Sequence, residues 1–236
     1  MHTGLVILES RAFEAIYGQE HLAAISSRVR LLAPPLTGGE ARRRPDLLAE
    51  VDVIFSGWGA PRMDAAFLSL APKLKAVFYG AGSIRYFTGD DFWARDIAVT
   101  SAYAMNAVPV AEYTLATILL GLKNHWFHAF EIKRLRRLTE RVHCAGAYGS
   151  KVGLISLGMI GRLVRERLRA FDVEVLAHDP YIDPAEAGRL GVTLVPLDEI
   201  FSQCDALTVA GTPYPAGSYS TTDLGFAGTG TVTVAP

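Results

Sequence analysis

Val152-Gly153-Leu154-Ile155-Ser156-Leu157-Gly158-Met159-Ile160-Gly161-Arg162 is the stretch that decides the fold. Its first four residues form an apolar run of strand type, and from Gly158 to about Phe171 the apolar spacing becomes helical. A strand that turns through small residues into a helix is a natural anion site, because the first-turn N–H groups are unpaired and the helix dipole favours negative charge. In a dinucleotide-binding turn the first glycine makes the bend, the second admits a pyrophosphate to the backbone, and the third lets helix pack on strand. Gly158 and Gly161 fill the second and third places, and Ser156 stands in the first. Ser156, Gly158, Met159, Ile160 and Gly161 are thus the candidate cofactor-binding residues.

Asp179 lies 21 residues after Gly158, in keeping with the roughly 20-residue spacing of the carboxylate that holds a ribose 2′-hydroxyl. Pro180 and Tyr181 follow it rather than an arginine, and a carboxylate repels a 2′-phosphate, so the pattern favours NAD over NADP. Two other readings share this layout. In one, the glycines only allow close packing and Asp179 caps a strand end; in the other, the domain is that of an adenosylmethionine-dependent methyltransferase.

Working outward, strands are expected at 173–177, 192–195 and 205–209, with helices at 184–190 and 197–204 between them. Upstream, apolar runs at 5–8, 51–55, 74–79 and 97–100 read as buried strands, with helices over 13–27 and 64–70. Strand and helix in alternation imply right-handed parallel crossovers and sheets covered on both faces. The class is α/β, with two Rossmann-like or flavodoxin-like lobes of parallel sheet. A long helix is expected to open near Pro109, a favoured first-turn residue, and to be buried, since 111–122 is apolar on nearly all sides.

Composition narrows the function. The chain has 236 residues, 50% of them hydrophobic, and a formal net charge of −1. That balance supplies no whole-chain attraction to nucleic acid or an anionic membrane, and the basic run 133–141 lacks interleaved aromatics and reads as a solvated helix face. No nucleic-acid partner is expected. The most membrane-like run, 108–122, contains Glu112 and falls short of the roughly 20 residues a span needs, and Met1-His2-Thr3-Gly4 lacks the basic start of a signal peptide. Cys144 and Cys204 match neither a disulfide framework nor a zinc spacing, so a cytoplasmic protein without a membrane partner is expected. His125, His128 and Glu131 share a helix face but show no fourth ligand, so no metal site is assigned.

Three stretches carry a family resemblance: 74–82, ending Gly80-Ala81-Gly82; Asn106-Ala107-Val108-Pro109-Val110-Ala111-Glu112-Tyr113; and 152–161 together with Asp179. In this order and spacing the chain resembles the D-isomer-specific 2-hydroxyacid dehydrogenases. The resemblance implies NAD as cofactor, a small 2-hydroxy or 2-keto acid as substrate, and hydride transfer between them. It also implies a substrate carboxylate held by backbone N–H groups at Ala81 and Gly82, and a homodimer formed through the helix from Pro109 and the stretch 125–138. Residues taken alone would make Gly80-Ala81-Gly82 a strand-end turn.

The resemblance further implies a lobe at 1–104 that binds substrate and the first half of a nucleotide-binding domain at 105–210. That half-domain is expected to be incomplete, because 211–236 changes to Gly, Thr, Ser, Ala and Pro with Asp223 its only charge, and is expected to be largely disordered. The family's catalytic histidine, acid and arginine belong in the continuation, so no catalytic residue is assigned. Weak or absent turnover is expected of a truncated or frame-shifted chain, and a non-catalytic NAD-binding protein is the alternative.

Overall fold

The computed structural model describes residues 1–140, 142–210, 217–220 and 231–234, and the chain divides into two compact units, Met1–Asn106 and Ala107–Pro236. The expected boundary, at 104/105, lies two residues earlier.

The first unit contains five strands, β1 (Thr3–Ile7), β2 (Arg30–Leu31), β3 (Val53–Ser56), β4 (Ala76–Tyr79) and β5 (Ala98–Ser101). They form one parallel sheet in the order β2-β1-β3-β4-β5. Helices α1 (Phe13–Ile16), α2 (Gly18–Ser26), α3 (Gly38–Arg42), α4 (Pro45–Leu48), α5 (Ala65–Leu70) and α6 (Asp90–Trp93) fill the connections. The single helix expected over 13–27 is two, because Gly18 takes φ +58°, a left-handed conformation that interrupts helical hydrogen bonding. Leu5, Ile7, Ile54, Phe67, Val77, Phe87 and Phe92 are fully buried in one core. Truncating any of the aliphatic ones to alanine would cost about 2–5 kcal/mol.

The second unit has a four-stranded parallel sheet of β6 (Ser150–Ile155), β7 (Val173–His178), β8 (Thr193–Leu194) and β9 (Ala206–Val209), ordered β8-β7-β6-β9. The helices here are α7 (Tyr103–Leu122), whose first turn belongs to the first unit, α8 (His125–Leu135), α9 (Met159–Leu168), α10 (Pro184–Leu190) and α11 (Leu197–Gln203). Asp183 caps α10 by accepting from the Ala185 N–H, and Gly191 ends it at φ +69°. The direction of strand addition reverses at β6, which is where doubly wound sheets open a crevice for ligand. Two further strands, β10 (Gly217–Ser220) and β11 (Thr231–Val234), pair antiparallel with each other. The rest of the stretch expected to be disordered lies outside the described residues.

Helix α7 departs from expectation in two ways. It opens at Tyr103, so Pro109 sits inside it rather than at its start; a proline in the second turn forfeits one backbone bond yet does not stop the helix. It is also only partly buried. Ala111, Ile118 and Leu122 enter the core, whereas Met105 and Tyr113 are more than two-thirds exposed. Apolar composition reports what a helix surface is made of, not what covers it. At 20 residues α7 is long and apolar enough by composition to cross a membrane, although its Glu112 pairs with Arg167 at 3.6 Å and its buried stripe packs in the core of the sheet.

Candidate functional site

In the second unit the turn after β6 is built around Ser156. Its φ is +77°, the left-handed conformation for which glycine is usual, and its N–H donates to the His178 carbonyl at 2.9 Å. The serine therefore makes the bend, at a cost of about 1–2 kcal/mol in local strain. Gly158 then caps α9 with an extended backbone and no side-chain cap. The first-turn N–H groups at Met159 and Ile160 are left without helical partners.

The two glycines have different reasons to be glycine. A Cβ on Gly161 would overlap the Ser156 carbonyl oxygen and lie 3.3 Å from Ala210 Cβ, so packing alone forbids a side chain there. A Cβ on Gly158 would meet only Ser156 Oγ, at 3.8 Å, and its backbone angles suit any residue. Nothing among the described residues requires glycine at 158. The backbone left open there, beside uncapped N–H groups, fits a pyrophosphate.

Asp179 stands at the end of β7. Its Oδ2 accepts from the Leu157 N–H at 2.7 Å and its Oδ1 from the Tyr181 N–H at 2.9 Å. Each carboxylate oxygen keeps a further lone pair for a ribose hydroxyl. Arg162, the cation beside the turn, donates to the Leu157 carbonyl at 2.7 Å and pairs with Glu186. His178 Nδ1 lies 3.1 Å from the Val195 carbonyl oxygen. The structure thus brings Ser156, Gly158, Met159, Ile160, Gly161 and Asp179 to one place, at the carboxyl end of β6 and β7.

In the first unit the loop after β4 is held from below. The Gly80 N–H donates to the Ser56 carbonyl at 2.8 Å, and a side chain on Gly80 would run into Ile16. The Tyr17 hydroxyl donates to the same Ser56 carbonyl at 2.8 Å, and burial raises its pKa above the ordinary phenol value. Tyr79 and Tyr86 share a hydroxyl contact at 2.8 Å, and Tyr86 donates on to the Gly57 carbonyl at 3.0 Å. The N–H groups of Ala81, Gly82 and Ser83 meet no acceptor among the described residues. Ser83 is a donor that the sequence reading missed; three consecutive free N–H groups at a strand end are visible only once the backbone is traced. Arg85 is exposed and pairs with no acid among the described residues.

His128 Nδ1 lies 2.9 Å from Thr139 Oγ1, and Glu131 is paired with Arg134. Both are engaged in the α8 region itself.

Residues 118–219 match the model of the D-isomer specific 2-hydroxyacid dehydrogenase NAD binding domain. This stretch belongs to the D-isomer-specific 2-hydroxyacid dehydrogenase family. The D-3-phosphoglycerate dehydrogenase of Mycobacterium tuberculosis is 34% identical over 162 residues, 67% of this chain and 30% of that protein. The chain thus matches under a third of the length of this curated relative. Among solved structures, the TT0316 protein from Thermus thermophilus has a TM-score of 0.70 at 19% identity, covering 90% of this chain and 66% of that one. A D-lactate dehydrogenase from Aquifex aeolicus, solved with NAD and lactic acid, has a TM-score of 0.65 at 20% identity, covering 88% and 60%. At such identities the solved structures establish the fold, and the matched domain, with the turn at 156–161, identifies NAD as the family's cofactor.

Proposed function

We propose that the chain binds NAD at the turn 156–161 and a small 2-hydroxy or 2-keto acid at the loop 81–82, as part of an NAD-dependent 2-hydroxyacid dehydrogenase. The observation that carries the reading is the contrast at the two glycines, since Gly161 is demanded by packing and Gly158 only by an approaching ligand. NAD, when bound, supplies the hydride acceptor and donor. The chain's own residues bind and orient: the N–H groups of Met159 and Ile160 face the phosphates, Asp179 takes the ribose, and Ala81 and Gly82 receive the carboxylate.

Turnover needs more than orientation. Removing the hydroxyl proton takes a base within hydrogen-bond reach, itself held by a carboxylate. At neither site does a histidine meet an acid among the described residues, and His178 faces a backbone carbonyl. The second reading is a non-catalytic NAD-binding protein, which needs the binding residues and no base. Isothermal calorimetry with NADH, followed by an assay of NADH consumption with glyoxylate, separates the cases. Binding with turnover supports the enzyme, binding alone supports the second reading, and no binding rejects both.

A homodimer through α7 and α8 is part of the same proposal. Val110, Tyr113 and Leu120 on α7 and Trp126, Phe127, Phe130 and Ile132 on α8 are exposed, more large apolar side chains than a solvated helix pair usually shows. Light scattering should give twice the chain mass, and Phe130→Asp should halve it. Cytoplasmic placement agrees with Cys144 and Cys204 both being free thiols.

A further inference from the structure

Ser101 ends β5 and is the cross-strand partner of Tyr79, the last residue of β4. The loop that follows Tyr79 folds back over it. Ser101 Oγ lies 3.0 Å from the Ala81 carbonyl oxygen and 2.5 Å from the Gly82 carbonyl oxygen. One hydroxyl proton is thus shared by two successive carbonyls.

The consequence follows from the planarity of the peptide bond. In a trans peptide the C=O and the N–H point in opposite directions. Drawing the Ala81 carbonyl toward Ser101 turns the Gly82 N–H away from it, and drawing the Gly82 carbonyl inward turns the Ser83 N–H outward. Two adjacent N–H groups directed from one side of a loop make a concave anion site. Without the hydroxyl, two carbonyl oxygens would crowd a site with no donor, and Gly82, the loop's most permissive residue, would let the peptides turn.

We propose that Ser101 is the positioning residue of the substrate loop: it holds the Ala81 and Gly82 carbonyls inward so that the Gly82 and Ser83 N–H groups receive a carboxylate. The inference rests on the reading of 81–82 as the substrate loop. It adds Ser83 as a donor and assigns the arrangement to one side chain on a neighbouring strand.

The test uses the full chain labelled with 15N, titrated with glyoxylate and observed at the Gly82 and Ser83 amides. The variants are Ser101→Ala and Ser101→Thr, the latter keeping a hydroxyl on a residue suited to a strand. In the parent chain both amides should shift on titration. Ser101→Ala should weaken glyoxylate binding about tenfold, the size of one lost hydrogen bond in an anion site, while NADH binding is unchanged. Ser101→Thr should restore affinity to within about threefold of the parent. Equal glyoxylate affinity in Ser101→Ala and the parent overturns the role of Ser101 and leaves the substrate loop standing. If the parent amides do not respond to glyoxylate, the substrate reading fails, and the ligand-free spectra then decide on Ser101. A displacement of the Gly82 and Ser83 amides in Ser101→Ala that Ser101→Thr reverses supports its hold on the loop, and superimposable spectra overturn it.

Discussion

The Leu157 N–H donates to Asp179 Oδ2 at 2.7 Å. This bond ties the strand-to-helix turn to the end of the neighbouring strand, so the carboxylate that the spacing assigns to a ribose also shapes the phosphate turn. Removing it should act twice. Asp179→Ala should destabilise the chain by about 1–2 kcal/mol, for a charge-assisted bond lost at a half-buried site, and should weaken NADH binding beyond the loss of a ribose contact. Asp179→Asn keeps an acceptor for one of the two N–H groups and should recover part of the stability and less of the affinity. Urea unfolding beside NADH calorimetry reads both; equal stability of Asp179→Ala and the parent would contradict the first role.

Ser156 occupies a left-handed backbone at φ +77°. Ser156→Gly removes the strain while adding backbone entropy to the unfolded chain, and the strain is the larger of the two. The variant should gain up to about 1 kcal/mol, and Ser156→Val, with a branched Cβ, should lose about as much. Urea midpoints of the two variants should fall on opposite sides of the parent.

Asp52 accepts from the Thr3 N–H at 3.0 Å and from Lys75 Nζ at 2.8 Å. Lys75 and the Thr3 backbone hold its carboxyl well below the ordinary carboxylate value of 3.8. A depressed pKa stabilises the folded state above the ordinary value, and that stability is lost as the pH falls toward the folded one. Between about pH 4 and pH 2 the parent should therefore lose stability faster than Asp52→Asn. Thermal melts of both chains across that window provide the check, and parallel curves would contradict it.

Burial pushes the Cys204 thiol up to about 11 from an ordinary 9.0, whereas Cys144 is exposed. At pH 8 a thiol-exchange reagent should label Cys144 promptly and the partly buried Cys204 far more slowly. The same shift has a stability sign. Because the folded thiol keeps its proton longer than the unfolded one, this contribution is intact below pH 9 and declines between about pH 9 and 11. Cys204→Ala should remove that decline in pH-dependent melts.

Much of the fold was legible because parallel strands are buried on both faces and announce themselves as apolar runs, as at Thr3–Ile7 and Val53–Ser56. Alternation with helices then fixed the class. Features that depend on what lies alongside were not legible. Pro109 suggested a helix start because proline suits a first turn, yet hydrogen bonding had already begun at Tyr103. The apolar surface of α7 suggested burial, although a run of residues carries no record of its neighbours. At the site, the placing of Gly158, Gly161 and Asp179 about one turn could be read from spacing, since a strand-to-helix turn and the end of the next strand keep a fixed separation along the chain. The Leu157–Asp179 bond and the hold of Ser101 on the loop arise from strand pairing between distant segments, which no local pattern records.

The central claim is that 156–161 is a nucleotide turn in which Gly158 is open for a ligand and Gly161 for packing. NADH calorimetry on the parent, Gly158→Ala and Gly161→Ala, each with its unfolding midpoint, tests it most directly. The parent should bind NADH. Gly158→Ala should unfold within about 1 kcal/mol of the parent, having no new clash, yet bind at least about tenfold more weakly. Gly161→Ala should lose about 1–3 kcal/mol of stability, the cost of an added methyl in a packed site. A parent that does not bind NADH, or a Gly158→Ala chain that binds it as tightly as the parent, would contradict the account.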